Sequence, residues 1–266
     1  MHEYWLVCPT HVLFSFNRAP CTQPRCFRCS LTYKRPPQWW RYLGVLDAAI
    51  KHVDVFLAPS RFCKDLHQRM GLNAPIVHLP NFVPAVDGAT PPTAGQPVRA
   101  VREDPQKPYF LFVGRLEKLK GLQTLLPIFR RYHKAQLFVA GTGSEESRLR
   151  QCVGDSANIH FLGYLSDRQL QALYQQAVAV IIPSVWYENF PLVIIEAFRQ
   201  RTPVIVRNLG GMLEIVAESG GGFVYETDEE LVAALTCRPP ACAKWFLGFR
   251  TRFRERLCRI PRRTRA

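Results

Sequence analysis

The chain has 266 residues, 47% of them hydrophobic, enough for one large or two modest α/β domains with real cores, so disorder is excluded as the default. No apolar run is long enough to span a membrane, and Met1-His2-Glu3-Tyr4-Trp5 lacks the basic flank and cleavage site of a signal peptide, so the sequence reads as cytoplasmic. The formal charge of +14 is concentrated at the end, where ten Lys or Arg and one Glu lie between Arg238 and Ala266; the remainder suits a protein that handles diphosphates or approaches anionic lipid.

Residues 1 to about 30 read as a strand end followed by an irregular Pro/Cys loop. Of nine cysteines, Cys63, Cys152, Cys237, Cys242 and Cys258 show no framework spacing, and a disulfide scaffold does not suit a chain this long and apolar. Cys26-Phe27-Arg28-Cys29 is a chelating pair that, with Cys8 and Cys21, could hold zinc; reduced thiols in a folded loop are the alternative. From Pro37 a helical stretch runs to about Lys51. Val53 to Ser60 is a buried strand stopped by Pro59, with Ser60 capping a helix Arg61 to Met70, and Ile76 to Asn81 is a further strand. Strand, helix, strand means a parallel sheet.

Residues 84–108 shift to Pro, Gly, Ala and Thr and form a linker between a partial domain at 1–83 and a second one at 109–235. In the second, strands at 109–113, 136–140, 159–162, 178–182, 203–206 and 222–225 alternate with helices from about 121, after 144, and at 167–177, 191–200 and 211–218. Six such strands make a doubly wound sheet, and such sheets collect ligands outside the carboxyl ends of their strands. Gly114-Arg115, Gly141-Thr142-Gly143, Gly163-Tyr164, Ser184 to Pro191 and Leu209-Gly210-Gly211 all fall there, which predicts one cleft.

Arg115 directly follows a strand and Lys120 precedes a helix, beside Gly114 and Gly121, which permit close backbone approach. A diphosphate there meets a forked guanidinium, a point ammonium and a helix N-terminus, the groups a departing nucleoside diphosphate requires. Solvated surface cations are the bland account of either residue alone. Glu188 falls in a loop and Glu196 in the second turn of the helix opened by Pro191; two carboxylates of this kind hold vicinal hydroxyls, though an ordinary charged helix face has the same composition. Gly141-Thr142-Gly143 lacks the spacing of a dinucleotide or P-loop motif and reads as a tight turn. With no Asp-x-Asp pair, leaving-group stabilisation is expected to need no metal and no cofactor.

Gly114-Arg115-Leu116 with Lys120-Gly121, then Glu188-Asn189-Phe190-Pro191 with Glu196, resembles the donor-binding domain of the retaining GT-B-fold glycosyltransferases, group 1 or family 4 type. The resemblance spans roughly residues 1 to 235. It implies an α/β, GT-B-like fold: one complete Rossmann-like donor-binding domain plus the C-terminal part of a second Rossmann-like domain. It also implies that Arg115 and Lys120 hold the diphosphate, Glu188 the transferred sugar and Glu196 the ribose. Asn189, Phe190, Pro191, Leu192 and Val193 would touch sugar and phosphate, Gly163, Tyr164 and Leu165 the base, and His2 would match a first-domain histidine facing the donor. The implied reaction is hexosyl transfer with retention from a nucleoside diphosphate sugar to a saccharide or lipid-linked acceptor, in cell-surface glycan or lipid-linked saccharide synthesis.

Members of that family begin with roughly a hundred residues more. The expectation is therefore a chain truncated at its N-terminus, impaired in activity, with the sheet at 53–81 exposing a buried edge. A non-catalytic nucleotide-sugar-binding remnant is the alternative. After 235 the basic tail, 236–266, spaces Phe246, Phe249, Phe253, Leu257 and Ile260 as an Arg-faced amphipathic helix for anionic lipid, or is a shifted reading frame. Nucleic-acid binding has no recognisable motif to support it.

Overall fold

The computed structural model describes residues 1–82 and 107–236. Most of the expected linker and the expected amphipathic helix of the tail lie outside these residues. The chain divides into two compact units. The smaller takes the described residues of Met1–Pro84 with Ser184–Leu192 and Leu209–Glu214; the larger takes those of Ala85–Pro183, Val193–Asn208 and Ile215–Ala266.

The smaller unit opens with a hairpin, β1 (Phe14–Ser15) and β2 (Ala19–Pro20), followed by α1 (Cys26–Thr32). Both replace the irregular loop expected from the Pro- and Cys-rich sequence, because strands of two residues carry no readable period. The expected helix from Pro37 to Lys51 is broken into a 3-10 turn, Trp39–Arg41, and α2 (Val45–Ile50). Gly44 between them has a φ of 72°, a left-handed conformation that ends one helical turn before the next begins. β3 (Phe56–Ala58) and β4 (Ile76–His78) pair in parallel across α3 (Arg61–Arg69). Ser60 caps α3 as its sequence position predicts, its hydroxyl accepting from the Cys63 N–H at 3.0 Å. Glu214 adds a second cap, its carboxylate accepting from the Arg61 N–H at 2.8 Å and from the Phe62 N–H. Tyr4, Leu13 and Leu66 form one core cluster; Leu6, Ala58, Cys63, Leu72 and Ile76 form the other.

The larger unit runs β5 (Tyr109–Val113), α4 (Leu122–Phe129), β6 (Gln136–Ala140), α5 (Glu146–Val153), β7 (Ile159–Gly163), α6 (Asp167–Gln176), β8 (Val180–Ile182), α7 (Leu192–Arg199), β9 (Val204–Arg207), α8 (Met212–Ser219), β10 (Gly222–Tyr225) and α9 (Asp228–Thr236). The strands form one parallel sheet in the order β7-β6-β5-β8-β9-β10. Parallel strands covered on both faces must be apolar throughout, and the continuous runs Tyr109 to Phe112 and Leu137 to Ala140 are buried accordingly. Sequence reading missed α9, whose start is marked by Thr227 and three acidic residues in its first turn: the Thr227 hydroxyl accepts from the Glu230 N–H at 3.3 Å, and the Glu230 carboxylate accepts from the Glu226 N–H at 2.7 Å. Chain direction across the sheet reverses between β5 and β8, the switch point at which doubly wound sheets accept ligands.

Candidate functional site

In the larger unit the segment leaving β5 carries the two expected cations. Arg115 is 72% exposed and its guanidinium lies 3.0 Å from the Glu117 carboxylate. An exposed pair of this kind contributes only about 0–1 kcal/mol. Lys120 closes a 3-10 turn, Lys118–Lys120; Gly121, with a φ of 76°, then turns the chain into α4. The turn after β6 packs main chain against main chain. A Cβ on Gly141 would meet the Gly114 carbonyl oxygen at 2.0 Å, and one on Gly143 the Leu116 carbonyl oxygen at 2.4 Å. Gly141-Thr142-Gly143 is thus a close-packing element that supports the Arg115 loop, in keeping with its reading as a tight turn.

Glu196 sits in the second turn of α7, and the Tyr174 hydroxyl on α6 donates to its Oε2 at 2.9 Å. Burial, with the adjacent carboxylate adding to it, pushes the Tyr174 phenol far above its ordinary value, so it remains a donor and fixes one carboxylate oxygen. Gly163 ends β7 with a φ of 68°, Tyr164 beyond it is 82% exposed, and Leu165 follows at intermediate burial.

In the smaller unit Glu188 is buried, and the Ser184 hydroxyl donates to its Oε1 at 2.7 Å. Its main chain is clamped: the Gly211 N–H donates to the Glu188 carbonyl at 2.7 Å, and a Cβ on Gly210 would lie 2.6 Å from that same oxygen. On either side, the Tyr4 hydroxyl donates to the Tyr187 carbonyl at 3.0 Å and the Asn189 amide to the His2 carbonyl at 2.9 Å. Asn189 Oδ1 is buried and has no hydrogen-bond partner among the described residues. His2 has an exposed side chain, held through its main chain by Asn189. Phe190 and Pro191 are half-buried, and α7 begins at Leu192, one residue later than expected.

The structure therefore gathers Gly114, Arg115, Lys120, Gly163, Tyr164, Leu165, Val193 and Glu196 in the larger unit, and His2, Glu188, Asn189, Phe190, Pro191 and Leu192 in the smaller. Ser184 and Tyr174, which hold the two carboxylates, carry no sequence signal for that role. Gly210-Gly211 does, as an adjacent glycine pair at a strand exit.

Cys8, Cys21, Cys26 and Cys29 line one cavity in the smaller unit. Among the described residues, no three His, Cys, Asp or Glu side chains form a ready-made metal cluster.

Residues 98–236 match the family described as Glycosyl transferases group 1. An uncharacterised glycosyltransferase of Methanocaldococcus jannaschii is 35% identical over 142 residues, covering 51% of this chain and 36% of the relative. D-inositol 3-phosphate glycosyltransferase of Corynebacterium urealyticum is 29% identical over 195 residues, covering 68% of this chain and 45% of the relative. The chain thus spans less than half the length of these curated relatives. Among solved structures, Anabaena HepE in complex with UDP-glucose superposes with a TM-score of 0.65 at 19% identity, covering 85% of this chain and 69% of that one. Identity this low carries the fold alone: α/β and GT-B-like, with one complete Rossmann-like domain.

Proposed function

Because the chain belongs to the group 1 glycosyl transferases, we propose that it moves a sugar from a nucleoside diphosphate sugar to an acceptor hydroxyl, with retention of anomeric configuration, as a hexosyltransferase of cell-surface glycan or lipid-linked saccharide synthesis. The observation that carries this reading is the strand order, which puts the switch point at β5, the strand whose exit bears Arg115 and Lys120.

In this reading the two cations bind the diphosphate and take up the charge that develops as it leaves. An oxocarbenium-like centre forms, the acceptor hydroxyl attacks from the same face, and a phosphate oxygen takes its proton. No side chain serves as nucleophile, and the cations carry the leaving-group stabilisation without a metal. Glu188, with Oε1 held by Ser184, accepts from the sugar hydroxyls; Glu196, with Oε2 held by Tyr174, accepts from the ribose. Gly163, Tyr164 and Leu165 border the base, and His2 faces the donor. The unpartnered Asn189 Oδ1 gives the Glu188 loop one more acceptor. No described helix is long and apolar enough to cross a membrane, and we place the reaction in the cytoplasm, with an acceptor that is soluble or presented at the inner membrane face.

The test is transfer and donor hydrolysis with uridine, guanosine and adenosine diphosphate sugars, with the product anomer read by NMR. Arg115→Ala and Lys120→Ala are each expected to lower turnover at least ~10²-fold, as loss of one preorganised charge-stabilising group does. Full turnover in both variants overturns the mechanism. Donor binding without turnover in the native chain selects the non-catalytic alternative.

A further inference from the structure

We infer that Cys8, Cys21, Cys26 and Cys29 are the ligands of a structural zinc ion in the smaller unit, a site independent of the transferase reading. The four reach one place from three parts of the chain. Cys8 precedes the β1–β2 hairpin, Cys21 directly follows β2, and Cys26 and Cys29 occupy the first turns of α1. Around them lies a cavity of about 10 Å³, room for roughly one water-sized sphere. A hairpin followed by a helix whose start carries a Cys-x-x-Cys pair puts two ligands on each side of such a space.

Local bonding fixes this arrangement. The Phe16 N–H at the hairpin turn donates to Cys29 Sγ at 3.3 Å. The Cys21 N–H donates to the Leu13 carbonyl at 2.7 Å, and the Tyr33 hydroxyl at the end of α1 donates to the Phe14 carbonyl at 2.6 Å. The Cys8 and Cys21 sulfurs sit near Thr10 Oγ1 and the Gln23 carbonyl, at 3.2 and 3.7 Å.

The backbone around the four cysteines also calls for a cross-link. Ligation releases four protons, Zn²⁺ and four thiols giving a tetrathiolate of net charge −2. The hairpin is too short to hold itself, with two residues per strand; left-handed φ values occur at Phe16 and Asn17 in its turn and at His11 and Leu13 in the segment before it. Backbone of that kind persists where something over-determines it, and a metal cross-link does so. Four soft thiolates select zinc in tetrahedral geometry, with Zn–S near ~2.3 Å and hence S···S near ~3.8 Å.

The full chain, expressed with zinc in the medium and purified under reducing conditions, is assayed by elemental mass spectrometry after desalting. We expect about one zinc per chain, and, after exchange to cobalt, the intense thiolate charge-transfer and tetrahedral d–d bands of an S₄ site. Cys26→Ser and Cys29→Ser are expected to lower zinc occupancy at least ~10-fold, and Cys152→Ser, at an exposed cysteine outside the cluster, to leave it unchanged. Should the serine variants fail to fold, the cobalt spectrum of the native chain carries the test alone. Less than about 0.1 zinc per chain, iron in its place, disulfides among the four cysteines, or undiminished zinc in a folded Cys26→Ser variant would overturn the assignment.

Discussion

Arg115 and Cys63 illustrate opposite uses of a titratable side chain. Arg115 is largely exposed and pairs with Glu117 at the surface, so its removal is expected to leave thermal stability within about 0.5 kcal/mol of the native chain. A turnover defect in Arg115→Ala at unchanged Tm is therefore a loss of chemistry, and a Tm that falls with turnover would remove that interpretation. Cys63 is fully buried among Leu6, Ala58, Leu72 and Ile76. Burial pushes its thiol up from the ordinary 9.0 to about 11; the N-terminal ammonium opposes this and Glu214 adds to it. The raised value fixes the sign of the pH dependence. Below pH 9 both folded and unfolded chains hold the proton and the stabilisation is complete; as pH rises from 9 toward 11 the unfolded thiol ionises first and the stabilisation is lost. Denaturant titrations in reductant at pH 8.5 and 10.5 are expected to show this loss, on the order of 2 kcal/mol at most, and to show less of it in Cys63→Ala. An equal alkaline loss in both proteins would place its origin elsewhere.

The loop after β9 shows how an element controls a side chain it does not contain. Gly211 lies against the Asn189 carbonyl and the Ser60 hydroxyl, and an added Cβ would stand 2.2 Å and 2.8 Å from them. Neither a carbonyl nor a helix cap yields by that much, so Gly211→Ala is expected to shift the Glu188 loop, cost about 1–3 kcal/mol, and raise the KM for donor more than it lowers kcat. Unchanged Tm and KM would show that the loop tolerates the displacement. The glycine pair was legible in the sequence as a strand exit, as were the six strands of the large sheet, since strands buried on both faces are continuous apolar runs such as Tyr109 to Val113. The β1–β2 hairpin and α1 were not legible, because two-residue strands have no period and a short helix opening on cysteines has no capping signal. The helix expected from Pro37 to Lys51 failed at Gly44, where apolar spacing outweighed a residue that takes the left-handed conformation. At the site, positions could be read as loop and helix, but the partners of the carboxylates could not. Tyr174 and Glu196 are 22 residues apart, on different helices. Such pairings come from packing and leave no trace in local pattern.

The two units differ in how completely their sheets are covered, and stability follows from that. In the larger unit Leu111, Leu137, Val180 and Val204 are all 0% exposed, as strands inside a parallel sheet must be. In the smaller unit the paired residues Leu57 and Val77 remain 46% and 51% exposed, and Leu79 beyond them 55%. The sequence anticipated an exposed strand edge at 53–81; what the structure shows is a different feature, an apolar face of the paired strands left open by the described residues. A two-stranded sheet with such a face is marginal in water. Hydrogen exchange is therefore expected to separate the units, with β5, β6, β8 and β9 exchanging only through global unfolding and β3 and β4 at least ~10²-fold faster. Glu188 and its clamp belong to the smaller unit, so under the proposed reading a donor bound through Glu188 selects the folded form of the less protected part. A donor sugar nucleotide at ~100 times its dissociation constant adds about 2.7 kcal/mol to whatever opening it blocks. Slower exchange at residues 184–192 with donor present, and none with free phosphate, is the expected pattern. Equal protection of both sheets would contradict the uneven stability, and donor that slows only the β5 loop would remove Glu188 from the sugar site while leaving Arg115 and Lys120 in theirs.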